Sequence, residues 1–122
     1  MNVGNVHSIT NSSGVAAIPV ASTATVDTPS FELHYGDSFG VELLAASDGA
    51  VDVKVELQLS MDGTNFVEGD GQADVAVITD ETRHIVQLTP FPAKYGRFRM
   101  TGQGSNHATT TMAINLFIQE QV

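Results

Sequence analysis

The plainest pattern in this chain is an alternation of apolar and polar positions. Val51, Val53, Val55, Leu57 and Leu59 fall on one side of a period of two, and Asp52, Lys54, Glu56, Gln58 and Ser60 fall on the other. Successive side chains of a β-strand point to opposite faces, so this run predicts a strand with one buried and one wet face. The same reading predicts strands at 31–35, 39–45, 65–67, 75–79, 84–88, 95–101 and 109–119, the last with Met112, Ile114, Leu116 and Ile118 on its apolar face. Turn signals separate them: Gly36-Asp37, Ser47-Asp48-Gly49, Asp62-Gly63, the glycine-rich run 68–72, Thr89-Pro90-Phe91-Pro92 and the polar run 102–107. Nothing repeats at a helical period. Seven or eight short strands with turns between them predict an all-β antiparallel sandwich, jelly-roll or Ig-like. A small closed barrel is the competing architecture.

Residues 1–30 read differently. Their only formally charged side chain is Asp27, and Pro19 and Pro29 punctuate a stretch of Asn, Ser, Thr, Ala, Val and Gly. Residues 15–20 and 23–26 are β-compatible, but the segment is too polar for a core of its own. Two readings stand: a leader followed by a first edge strand, or an extended N-terminal arm that gains order on a neighbouring subunit. The chain is accordingly divided into an arm (1–30) and a β-sandwich domain (31–122). Val15, Ile18, Val20 and Val26 are the arm's candidate contacts.

Composition narrows the function classes. A chain of 122 residues is one domain, long enough to bury a core without metals or disulfides. The absence of cysteine excludes thiolate zinc sites, disulfides and cysteine catalysis. A net charge of −9 repels phosphate backbones, so nucleic acid is not an expected partner. No apolar run is long enough for a membrane span, and the N-terminus lacks the regions of a signal peptide. The charge is uneven: residues 1–82 hold thirteen acids and one lysine, while Arg83, Lys94, Arg97 and Arg99 fall in a stretch from 83 to 119 without an acid.

Candidate chemistry is sparse. The histidines His7, His34, His84 and His107 are scattered and accompany no nucleophile motif, so no enzyme is expected. Asp62, Asn65, Glu68, Asp70 and Asp74 gather oxygen ligands within thirteen residues, as calcium requires. Their spacing misses the EF-hand pattern, and Asp-Gly pairs also serve tight turns. No cofactor is implied. Arg97 and Arg99 either meet an acidic partner surface or pair with acids on adjacent strands. Phe91, between two prolines, is a candidate protein contact.

Three segments together carry a resemblance. Residues 55–66, Val-Glu-Leu-Gln-Leu-Ser-Met-Asp-Gly-Thr-Asn-Phe, resemble a Ser-x-Asp-Gly-x-Asn-Phe hairpin of viral and phage virion β-sandwiches. Tyr95-Gly96-Arg97-Phe98-Arg99-Met100 resembles the strand that often follows it, and 109–119 completes the arrangement. The resemblance covers about the last seventy residues. The same hairpin occurs in discoidin-like jelly rolls, whose cysteine pair and tryptophans this chain lacks. It implies a small structural protein of tailed phages, a capsid decoration (cement) protein made in the host cytoplasm and carried on the virion surface. The implied partners are the major capsid protein and neighbouring copies of itself, as a homo-oligomer on the particle. A head–tail or tail component fits the same pattern, and a glycan- or calcium-binding module is the alternative from another class.

Overall fold

A computed structural model describes residues 2–33, 38–47, 51–68, 74–88, 93–103 and 109–121. They form eleven strands and, among the described residues, no helix. The strands are β1 (Asn2–Ile9), β2 (Ile18–Ala21), β3 (Thr25–Asp27), β4 (Phe31–Glu32), β5 (Ser38–Ser47), β6 (Val53–Ser60), β7 (Val67–Glu68), β8 (Asp74–Ile78), β9 (His84–Leu88), β10 (Tyr95–Gly102) and β11 (Thr109–Gln121). All pairings are antiparallel, in two sheets packed as a sandwich. Each of the eight runs predicted from Phe31 onward overlaps one of these strands; β1, β2 and β3 are additional.

Each sheet is built on one long central pair. In the five-stranded sheet β11 pairs with β5 from Thr110↔Ser47 to Gln119↔Ser38, and β9 extends the β5 side. In the six-stranded sheet β10 pairs with β6 over its whole length, and β7 and β8 lie along the far side of β6, with a register shift at Val55/Glu56. Inward-facing residues alternate as the sequence implies. Val41, Leu43, Val53, Val55, Phe98, Met100, Met112 and Ile114 are essentially inaccessible to solvent. Phe31 tilts against Phe98 with ring centroids 5.5 Å apart.

The segment expected as a separate arm is paired into both sheets. β1 and β2 run consecutively along the open side of β11, at Asn2↔Gln121 to Ile9↔Ile114 and Ile18↔Met112 to Ala21↔Thr109. β3 and β4 then do the same for β10. Ile18 and Val20 have no exposed surface. They are core residues, which corrects their assignment as interface contacts: the β-compatible stretch 15–20 supplies an edge strand to its own sheet, not to a neighbour's. Pro19 is tolerated because β2 is an edge strand. Val26 is half-buried against the core, and Val15 is exposed.

The chain crosses between sheets at 21–25. Ala24 N–H donates to Ala21 O at 3.0 Å, Thr23 adopts φ 63°, and Gly102 N–H donates to Ala24 O at 2.9 Å. A Cβ on Gly102 would lie 2.3 Å from Ala21 O, so only glycine lets the crossing pass this close. Beyond it, Thr28 locks the seam: its N–H donates to Phe98 O and its hydroxyl accepts from Phe98 N–H, both at 2.9 Å.

β6 departs from the simple alternation. Glu56, Gln58 and Ser60, expected on a wet face, are buried. β6 is flanked on both sides, and long side chains of β10 lie over its outer face, as the next subsection describes.

Two substitutions test this packing by chemical denaturation. Gly102→Ala should cost about 2 to 3 kcal/mol, because the atom in the way is backbone and cannot step aside. Gly40→Ala, with its nearest non-local atom 3.9 Å away, should change stability by less than about 0.5 kcal/mol. The Thr110 hydroxyl is buried and has no hydrogen-bond partner among the described residues. Thr110→Val should therefore raise stability by about 1 kcal/mol.

Candidate functional site

The outer face of the six-stranded sheet carries the basic cluster that the sequence singled out. Arg99 reaches across from β10 to Asp27 on β3, donating from Nε to Oδ1 at 2.7 Å and from Nη2 to Oδ2 at 3.0 Å. Arg97 Nη2 lies 3.5 Å from Asp27 Oδ2, its Nε donates to Gln58 Oε1 at 2.9 Å, and its guanidinium stacks 4.3 Å from the Phe66 ring centroid. The hydrogen bonds from Arg99 hold the Asp27 carboxyl below the ordinary carboxylate range, against partial burial, with help from the Arg97 charge. Both arginines pair with an acid on the adjacent strand, which is the second of the two roles expected for them. Both are engaged within the sheet through the one carboxylate of Asp27.

The Ser-x-Asp-Gly-x-Asn-Phe segment is a self-capped turn. Asp62 Oδ1 accepts from Thr64 N–H and Asn65 N–H at 2.8 Å and from the Ser60 hydroxyl at 2.9 Å, while Asn65 Nδ2 donates to Oδ2 at 2.8 Å. Ser60 Oγ in turn accepts from Gly63 N–H at 2.9 Å. The backbone donors of Asn65 and Thr64, more than any other group, push the Asp62 carboxyl far below its ordinary value. Gly63 supplies the positive φ of 79° and lies over the Tyr95 ring. Tyr95 and Arg97, from the second resembling segment, thus pack on Gly63 and Phe66 of the first. In this chain each motif is the other's floor.

This geometry uses the oxygens of Asp62, one of the candidate calcium ligands. Asp62 and Asn65 bond to each other. Glu68 and Asp74 lie at strand ends, and Asp70 lies outside the described residues. Among the described residues no three His, Asp or Glu side chains gather as a metal site would need. Phe91, His34 and His107 also lie outside the described residues, and His7 is exposed on β1. His84 sits in a loop-and-strand cluster with Asp80 and Thr82. Its Nε2 lies 3.0 Å from Asp80 Oδ1 and 3.3 Å from Thr82 Oγ1, and Thr82 Oγ1 donates to Asp80 Oδ1 at 2.6 Å. A triad places acid and nucleophile on different imidazole nitrogens; here both meet one nitrogen. The bonds from Thr82 and His84 lower Asp80 to about 2.

The five-stranded sheet has a different outer face, and sequence reasoning missed it. The register lines Val6, Phe117 and Gly40 in one row and Asn115, Glu42 and Ile85 in the next. Val6, Ile85 and Phe117 are 67%, 75% and 41% exposed. Together with Gly40, whose missing side chain leaves room between them, they surround a depression of about 300 Å³. Its polar end is self-paired: Asn115 Nδ2 donates to Glu42 Oε1 at 3.0 Å, and Arg83 Nε lies 3.4 Å from Glu42 Oε2. A solvated sheet face is ordinarily polar, and contiguous exposed apolar surface marks a place where something binds. The available signal was an aromatic and an isoleucine on the wet register of otherwise regular strands.

No protein-family model matches the chain, and no curated protein sequence matches it. Solved structures do. The VP2 protein of infectious bursal disease virus, in its T=1 particles, aligns with 95% of this chain at a TM-score of 0.57 and 16% identity. The chain spans only about a third of that viral chain, 31% of its length. The SPBc2 prophage-derived protein YomS aligns over 98% of this chain and 96% of its own, with a TM-score of 0.58 and 6% identity. The low-affinity xylan binding module CBM86 from Roseburia intestinalis aligns over 97% and 96%, with a TM-score of 0.56 and 13% identity. At these identities the likeness is one of fold.

The site geometry makes two checkable statements. Asp27→Asn should cost about 1 to 2 kcal/mol at neutral pH, because it weakens a charge-assisted pair. Since folding lowers the Asp27 pKa, that stabilisation is full above the ordinary carboxylate range and disappears as pH falls through the folded value. Denaturation curves of the wild type and this variant should therefore converge in acid. In a thermal melt, Asp62→Ala should lower Tm, and millimolar calcium should leave the wild-type Tm unchanged, because the Asp62 lone pairs already accept from the turn.

Proposed function

We propose that this chain is a non-enzymatic structural protein of a viral particle, a decoration protein that seats the outer face of its five-stranded sheet on the shell. The observation that carries the reading is the depression between Val6, Ile85 and Phe117. Its walls are apolar and its few polar groups are already paired, so it suits an apolar side chain of a protein partner, a knob into a hole with a satisfied polar rim. The likeness of fold to a viral particle protein and a prophage-derived protein supports the same reading, as does the resemblance of residues 55–66 and 95–100 to virion sandwiches. The partners are the major capsid protein and further copies of this chain, repeated over the shell so that modest contacts add through avidity. Synthesis is in the host cytoplasm, and the place of work is the virion surface. A head–tail or tail position uses the same surface.

A second reading rests on Phe117. A half-exposed aromatic beside Asn115, Glu42 and Arg83 resembles a sugar platform with hydrogen-bonding groups at its edge, and the likeness to a xylan binding module is of the whole fold.

One pair of variants separates the two. Particles purified from the organism that carries this sequence should contain the chain at fixed stoichiometry, and purified chain should rebind particles stripped of it. Ile85→Glu should weaken rebinding about tenfold or more, and Gly40→Leu, which fills the depression, should do the same with the fold intact. Absence of the chain from particles, or rebinding indifferent to both variants, removes the virion reading. Phe117 ring resonances that move on titration with xylo-oligosaccharide would establish the sugar reading instead.

A further inference from the structure

Sandwiches have open edges, and an open edge is a template for another strand unless something blunts it. Most edges of this molecule are blunted. β2 has four residues and carries Pro19; β3 has three and carries Asp27; β4 and β7 have two each, and each includes a glutamate. β8 begins at Asp74 and is offset by the irregularity at Val55/Glu56. β9 has five residues and directly follows Arg83. β1 is the exception. It has eight residues, Asn-Val-Gly-Asn-Val-His-Ser-Ile, with no Asp, Glu, Lys, Arg or Pro. One of its edges pairs with β11, and among the described residues no strand pairs with the other.

We propose that the free edge of β1 pairs with β1 of a second copy, antiparallel about a two-fold axis, so that the five-stranded sheets of two molecules become one continuous sheet. The occupant follows from three features. An antiparallel strand edge is complementary to itself, so one two-fold contact satisfies both copies and leaves neither β1 edge open. Two molecules of net charge −9 repel each other, and this uncharged edge is where they approach at least electrostatic cost. The excursion of residues 10–17 bounds the contact at the end beyond Ile9. It is held by Asn11, whose Oδ1 accepts from Ser13 and Val15 N–H at 2.9 and 3.0 Å. The pairing does not depend on what the sheet face binds.

The register is constrained. For outer face to continue into outer face, residues of equal parity must pair, so the axis passes at Asn5 or at Val6. In either case the two copies of Val6 lie on the same face, directly opposite or diagonal, about 5 to 8 Å apart. Val6 is 67% exposed, so charge placed there is tolerated by the monomer fold.

The test is sedimentation equilibrium of the free chain over a wide dilution series, with no particle or sugar present. The wild type and Val6→Thr should show a monomer–dimer equilibrium. Val6→Lys alone and Val6→Glu alone should each raise the dimer dissociation constant about fivefold or more through like-charge opposition. An equimolar mixture of the two should recover the wild-type constant as a mixed dimer. Circular dichroism and thermal melts confirm that each variant is folded before its mass is read. A wild type that stays monomeric up to its solubility limit overturns the pairing. So does either charged variant that dimerises like the wild type, or a mixture no better than its components.

Discussion

The rest of this structure depends on one close approach, that of the Ala21–Thr25 backbone over Gly102. Two sheets packed face to face share no backbone hydrogen bonds, so something must fix how they sit along their common side. Of the connections that cross between the sheets, the one at 21–25 does it along β2 and β3. Residues 2–21 complete one sheet along β11, and residues 25–32 complete the other along β10. The passage between them is tight enough that a methyl group on Gly102 would collide with Ala21 O. With the crossing in place, Ile18 and Val20 enter the core on one sheet and Phe31 reaches Phe98 on the other. Displacing it would uncover two core residues and the Thr28–Phe98 seam together, a combined loss of several kcal/mol in a domain whose whole margin is about 5 to 15.

Legibility from sequence followed the length of the alternation. Strands of eight or more residues between hydrophobic partners, β6, β10 and β11, announce themselves through period two, because register on a half-buried sheet is specified by that period. β2 offers only Ile18 and Val20 about a proline, and β3 offers three residues. Their structure is imposed by the long-range partner, and local pattern cannot register it. The crossing belongs to the same class: Gly102 closes a strand in sequence, and only the fold brings Ala21 above it.

The site followed a different logic. Oxygen atoms that ligate calcium and oxygen atoms that cap turns are the same atoms, so Asp62 fits either role until the N–H donors of Thr64 and Asn65 are seen to occupy its carboxylate. Arg97 and Arg99 were ambiguous for a similar reason, since a cation does not reveal its partner and Asp27 lies seventy residues away in the chain. Phe117 and Ile85 were hidden by the regularity of their own strands, where the wet register is presumed polar.

The two outer faces then divide the work of the molecule. On the six-stranded sheet, arginine, glutamine, aspartate and aromatic groups satisfy one another, and burial of Gln58 and Glu56 beneath them leaves a surface that is already paired. On the five-stranded sheet Asn115, Glu42 and Arg83 engage one another, while Val6, Ile85 and Phe117 stand exposed around Gly40. Val6 belongs both to that face and to the uncharged β1 edge, so the two form one contiguous region without net charge on a molecule of −9. Like-charge repulsion discourages approach everywhere else. Exposed apolar surface and low electrostatic cost therefore coincide on this side, and the proposed contacts draw on both.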